Sequence, residues 1–350
     1  MRSRPIMGEL IGGLLLMGAL VPGAQGETPR ALWEDRVVSA PMVAPALSGD
    51  TLWVTGTNRK IHSLDARTGK RHWKRTMPAH AVLPPVPAGE LLIVGLGAPR
   101  PAILLLDRQS GKEQSRIPLD ARPVEILRAG GSVLFATFRG TVGARNLGDG
   151  SVLWNRDLDA AIAGGASAGE SFFVLGRSDS LWCLDPFDGR RLWAVAVEGT
   201  HSAGPIVVDS VLLRVSYEGA LVEHDLDTGR LLATRSVSSP QVSRPAYADG
   251  RVATVAVGGE VEIFDLSFGE ERSLIDTGET IASGGCAWGT WWVVPTLTGR
   301  VLAVRRSRGA VEWSLTFRDP ISFPPASSAS YLSLINDRGR MVVYERGNPS

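Results

Sequence analysis

The chain has 350 residues, 44% hydrophobic and 21% charged, a balance that excludes an intrinsically disordered polypeptide. Thirty-seven basic side chains against 36 acidic ones leave a net charge of +1, so there is no basic excess with which to bind nucleic acid. Forty glycines call for many turns.

At the start, Arg2 and Arg4 precede an apolar run from Leu10 to Val21, then Pro22-Gly23-Ala24-Gln25-Gly26. The run is shorter than the roughly 20 residues needed to cross a bilayer. Small residues stand three and one positions before a cut after Gly26, which is the pattern of a cleaved secretory signal. Residues 1–26 are therefore read as a signal peptide and 27–350 as one domain, periplasmic or secreted. Removing residues 1–26 leaves 35 basic and 35 acidic side chains. No cysteine follows the apolar run to carry a lipid anchor. Cys183 and Cys286 lie in the fourth and seventh repeats described below, which are not neighbours, so they are not expected to pair.

A frame of Asp, Gly four residues on and Trp four further begins at Asp65/Gly69/Trp73. It returns as Asp107/Gly111, Asn146/Gly150/Trp154, Asp185/Gly189/Trp193, Asp225/Gly229, Asp265/Gly269 and Gly309/Trp313, with a shortened copy ending at Gly347. Successive glycines are 38 to 42 residues apart, the length of a supersecondary unit. Each unit holds four short apolar runs separated by turn residues, which read as strands. In the first unit they are Ser39–Ala46, Thr51–Thr55, Ile61–Asp65 and Lys70–Thr76. Gly140, Gly219, Gly259, Gly299 and Gly339 fall in the second turn of their units, where a tight hairpin needs positive φ. The first strands are rich in small residues, as in Ala163-Gly164-Gly165-Ala166 and Ser202-Ala203-Gly204, which suits a crowded innermost position.

Four-stranded units of this length arranged radially are β-propeller blades. The last unit has strands near Phe323–Ser327, Tyr331–Ile335 and Arg340–Glu345 and lacks a fourth, whereas Ala31-Leu32-Trp33-Glu34 stands alone before the first unit. The expectation is an all-β, eight-bladed propeller of four-stranded antiparallel blades, closed by the N-terminal strand completing the last blade, with no sheet edge left open by the termini.

The stretch from Ser63 to Trp73 resembles the repeat of the pyrroloquinoline quinone (PQQ) family, whose tryptophan docks against the neighbouring blade. The resemblance extends over the mature chain. It implies a quinoprotein-type propeller, a fold shared by PQQ-dependent dehydrogenases and by non-enzymatic envelope scaffolds. The BamB-type outer-membrane assembly lipoproteins are the nearest of these scaffolds in size and blade number. Long insertions and adjacent cysteines of the dehydrogenase kind are absent, so the resemblance implies a protein-binding scaffold with no cofactor and no metal; a PQQ-dependent dehydrogenase is the alternative. At the repeat's tryptophan position blades five and six carry Ala233 and Ser273, so those blades are expected to lose packing area.

No catalytic residue is legible. Gly165-Ala166-Ser167-Ala168-Gly169 matches a hydrolase nucleophile elbow in letters but lies on an inner strand that runs into a hairpin. His62, His72, His80, His201 and His224 show no ligand spacing. Candidate partner-binding residues are Arg59, Arg100, Arg139, Arg177, Arg300, Arg338 and Arg340, all near the turns between second and third strands. Acidic linkers at Asp120, Asp157, Asp159, Glu198, Asp276 and Asp319 share that face. Trp288 stands where earlier blades have Ser48, Ala88, Gly130, Ala168, Val208 and Ala248, and is read as an exposed anchor on the opposite face, the alternative being that it folds back over Trp291 or Trp292 to cover a gap. The partner expected is a protein of the cell envelope bound by a monomer, with no nucleic acid and no membrane-spanning segment after signal cleavage.

Overall fold

The computed structural model describes residues 19–20, 29–266, 272–307 and 309–346. Within these, every regular element is a strand, and the strands form eight antiparallel sheets, seven of four strands and one of five. The protein is an eight-bladed β-propeller, as the repeat implies. Two compact units account for it. Pro78–Pro245 holds blades two to five; Ala246–Ser350 together with Met1–Met77 holds blades six, seven, eight and one.

Blade eight settles the count. Its strands Ala326–Ser327, Tyr331–Ile335 and Arg340–Glu345 are completed by Arg30–Arg36, which pairs antiparallel with the third strand and places Trp33 opposite Val343. Blade seven carries in addition a two-residue strand, Ala19–Leu20, paired with Ser314 and Trp313. The remainder of the proposed signal peptide, Gly269 and Gly347 lie outside the described residues.

Burial explains why the strands read as they do. Second and third strands such as Thr51–Thr55 and Lys60–Asp65 are buried on both faces between neighbouring blades, so they are continuous apolar runs. Outer strands such as Arg71–Thr76 bury only the tryptophan position and alternate with charge. The first strand of blade one is shorter than the sequence suggests. Ala46–Ser48 replaces the expected Ser39–Ala46, because Pro41 and Pro45 have no N–H to give a ladder; Pro41 makes only an isolated bridge to Gly56.

One hydrogen bond recurs in every blade: the amide just after the outer strand donates to the carbonyl of the turn between the second and third strands. The pairs are Met77 to Arg59, Leu119 to Pro101, Leu158 to Gly140, Val197 to Asp179, Val237 to Gly219, Thr277 to Gly259, Phe317 to Gly299 and Val37 to Gly339. This places each interblade linker on the same face as that turn. It also explains the glycine: at Gly219, φ is +89°, and a Cβ would strike the Val237 carbonyl region that crosses the turn.

Among the described residues the Asp-Gly-Trp frame is structural. Asp65 Oδ1 accepts from the Thr68 amide and hydroxyl, Asp225 does the same with Thr228, and the glycine amide closes the turn on the Asp carbonyl. The tryptophan reaches the turn of the next blade. Trp33 Nε1 donates to Ala66 O at 2.7 Å, Trp154 to Pro186 O at 2.9 Å and Trp193 to Leu226 O at 3.0 Å. At Ser273 the blades approach closely, since a Cβ on Gly309 of the next blade would collide with Ser273 Cβ. Inner strands also approach closely, with Gly164 and Gly165 of blade four against Gly204 of blade five at distances no Cβ would permit.

Candidate interaction surfaces

The arginines of the second-to-third-strand turns differ between the units. In the unit containing both chain ends, Arg300 pairs with Glu279 at 2.5 Å, Arg338 with Asp319 at 3.0 Å and Arg340 with Glu34 at 2.8 Å. Glu279 also accepts from the hydroxyls of Thr296 and Thr298; these bonds and Arg300 hold its carboxyl below the usual range against the opposing effect of burial. Three of the arginines here are thus offset by nearby carboxylates, two on linkers and one on the closing strand. Arg59 is exposed and sits in the left-handed region with φ +59°, at the turn position that other blades give to glycine.

In the unit Pro78–Pro245, Arg100, Arg139 and Arg177 make no ion pair among the described residues. Arg139 is exposed beside Phe138, whose ring is 38% exposed and covered by the Arg122 guanidinium at 4.7 Å. Asp120 and Asp157 bond locally, to the Thr141 hydroxyl and the Asp159 amide. The residues free to meet a partner electrostatically are therefore Arg100, Arg139 and Arg177 rather than all the arginines equally.

Trp288 is corrected. It is 2% exposed, its ring centroid lies 5.8 Å from that of Trp291, and it belongs to a core formed with Val301, Trp313, Leu332 and Tyr344. Trp291 packs edge-on to Trp313 and donates to Glu312 at 2.7 Å. The bulk at position 288 completes this aromatic stack between blades seven and eight, so it presents no surface anchor.

Exposed apolar side chains occur elsewhere. Val152 and Leu153 on the outer strand of blade three, Phe187 and Leu192 of blade four, and Leu231 and Leu232 of blade five are 40% to 70% exposed. The signal was present in the sequence. Where the first repeat has Arg71-His72 before its tryptophan, blade three has Val152-Leu153 and blade five has Leu231-Leu232, paired apolar residues on a half-buried strand that should alternate.

The buried polar groups are structural in geometry. Arg214 is 5% exposed and donates from Nε to His224 Nε2 at 3.1 Å and from Nη1 to the Glu198 carbonyl, with His201 Nε2 2.8 Å from Nη1. Burial and the Arg214 charge press the His201 pKa down to about 4; burial is also the main cause of the lowered value at His224. Glu125 accepts from the Gly165 amide at 3.0 Å and from Arg244 at 2.7 Å, tying blades three and four to the segment after blade five. Cys183 and Cys286 are free thiols whose pKa values burial pushes up to about 11 and about 12, which makes them poor nucleophiles. Ser167 lies in register opposite Phe172 in an ordinary hairpin ladder, without the strand-to-helix turn of a nucleophile elbow. Among the described residues no group of three or more His, Cys, Asp or Glu side chains is placed to hold a metal, and no helix is long and apolar enough to cross a membrane.

Fold and surface together define a repeat-built β-propeller in which the frame residues maintain the blades and exposed turns and outer strands are left for contact. The chain belongs to the PQQ-repeat family described as outer membrane protein assembly factor BamB, whose profile matches residues 24–161, 97–195 and 177–320. It is 28% identical over 116 residues to BamB of Alkalilimnicola ehrlichii, covering 33% of this chain and 30% of that relative. It is 22% identical over 286 residues to BamB of Moranella endobia, covering 74% and 73% of the two chains. The crystal structure of BamB from Moraxella catarrhalis matches with a TM-score of 0.75 at 16% identity, over 91% of this chain and 100% of that one, a likeness of fold.

Proposed function

We propose that the chain is a non-catalytic scaffold of the cell envelope that takes part in the assembly of outer-membrane proteins. The observation that carries this reading is the family match over residues 24–320. Exposed apolar pairs on the outer strands of blades three and five support it: exposed apolar side chains are what protein interfaces bury. In this reading residues 1–26 direct export and are removed, the mature monomer is not lipidated, and its partner is an envelope protein.

The test is photo-crosslinking in living cells from positions 139 and 153, with a null strain alongside. Crosslinks to a component of the outer-membrane assembly machinery, and reduced outer-membrane β-barrel protein in the null strain, are expected. Unchanged β-barrel levels, or micromolar PQQ binding by the purified protein with dye-linked alcohol or sugar oxidation, would overturn the reading.

A further inference from the structure

Between blades four and five, within Pro78–Pro245, lies an open groove of about 510 Å³. It sits at the end of the blades that carries the first-to-second-strand and third-to-fourth-strand turns, away from Arg139 and Arg177. Its apolar lining comes from Phe173, which is buried, Leu226, half-buried, and Leu192, which is 42% exposed. Its charged lining is Glu170, Asp185, Asp227 and Arg190.

The balance of those charges is uneven. Arg190 stands 3.7 Å from Asp185 with its side chain 68% exposed, a loose pair that offsets one carboxylate. Glu170, at the exposed tip of the hairpin after Gly169, and exposed Asp227 have no ion-pair partner among the described residues. Two uncompensated carboxylates therefore flank an apolar trough. Asp185 also accepts from the Phe187 amide at 2.8 Å, fixing the turn on which Phe187 is 70% exposed.

We propose that this groove binds an extended peptide segment in which an apolar side chain is flanked by lysine or arginine. The apolar side chain enters between Phe173, Leu192 and Leu226, and the flanking cations meet Glu170 and Asp227. Charge complementarity decides the class of occupant. A neutral apolar segment would leave both carboxylates without a counter-charge, and an acidic one would be repelled by them. The groove is independent of the assembly role, since it is formed by this chain alone.

The probe is a fluorescent decapeptide with one leucine flanked by two lysines, titrated against the purified protein by anisotropy at 50 mM and 300 mM salt. Saturable binding that weakens at the higher salt is expected. Glu170→Lys combined with Asp227→Lys should weaken it at least about tenfold, and Leu192→Ser by about threefold to tenfold. All three positions are exposed, so melting temperatures should stay within a few degrees of wild type. Should the double variant fail to fold, Glu170→Lys alone at the hairpin tip makes the same comparison. Equal binding of a peptide with glutamates in place of lysines, unchanged binding by the variants, complete competition by spermidine with no contribution from the leucine, or no saturation up to millimolar protein would overturn the proposal. The assay contains no assembly partner, so its failure leaves the assembly reading standing, and the reverse.

Discussion

The indole of Trp33 covers Gly69 so closely that a Cβ at position 69 would lie 2.8 Å from Cδ2 of the ring, while Trp33 Nε1 donates to Ala66 O on the same turn. Gly69 also has φ +69°. Gly69→Ala therefore meets two penalties, about 1–2 kcal/mol for an L-residue in the left-handed region and a further 1–3 kcal/mol for overpacking. Gly49 has φ +56° and nothing within 4 Å of an added Cβ, so Gly49→Ala should cost only the first. Denaturant melts of the two variants should differ by the overpacking cost. Combining Gly69→Ala with Trp33→Ala should be less costly than the two singles added. Strict additivity would mean that the indole does not press on the turn.

Trp33 also belongs to the strand that completes blade eight, and it packs in a core with Leu52, Leu64, Tyr331 and Val343. Deleting residues 27–37 removes the ladder to Arg340–Glu345 and a tryptophan worth about 3–5 kcal/mol in a core, comparable to a domain's whole stability. The truncated protein should aggregate or melt far below wild type in a thermal scan. An unchanged melting curve would exclude the strand from the fold.

Arg59 makes a smaller, opposite prediction. It holds with φ +59° the turn position whose carbonyl accepts from Met77, where other blades have Gly140, Gly219, Gly259, Gly299 and Gly339. Glycine adopts this conformation without the steric cost that a Cβ brings, so Arg59→Gly should be about 1 kcal/mol more stable than Arg59→Ala in denaturant titrations. Equal stability of the two variants would mean that the backbone is not held there.

Much of this architecture was legible because the same physical problem is solved eight times. A turn with φ above zero selects glycine and a blade contact selects tryptophan, so their spacing marks the repeat, and the unpaired strand around Trp33 completes the count. Trp288 was misread for a related reason. Aligning repeats shows that a large side chain is unusual, but only the packing of Trp291 and Trp313 shows that blade seven has an aromatic stack to receive it. The arginines were visible as a set, whereas their division depends on which acids come within reach, as Asp319 does for Arg338 and Glu34 for Arg340. The groove between blades four and five joins Glu170 to Asp227, residues too far apart in sequence for any local pattern to pair.

Blade five should make the protein's stability respond to pH in two opposed ways. His201, fully buried beside Arg214, has its pKa lowered to about 4 by burial and the guanidinium, with Glu218 opposing. In the unfolded chain a histidine titrates near 6.5. Between about pH 4 and 6.5 the unfolded state therefore binds the extra proton, and the stability His201 contributes at neutral pH is lost as pH falls through that window. Glu223, 7% exposed, behaves in reverse. Burial, opposed by Arg235, raises its pKa from 4.5 to about 7, so its contribution is present at acid pH and lost as pH rises through about 7. His201→Gln keeps an acceptor for Arg214 without a titrating ring, and should shrink the loss of unfolding free energy between pH 7 and pH 5 by about 1–2 kcal/mol relative to wild type. Glu223→Gln removes the opposing contribution and should make the same loss larger. Urea melts of the three proteins at both pH values measure the slopes; if both variants move the slope in the same direction, or neither moves it, the assignment of the buried groups is wrong.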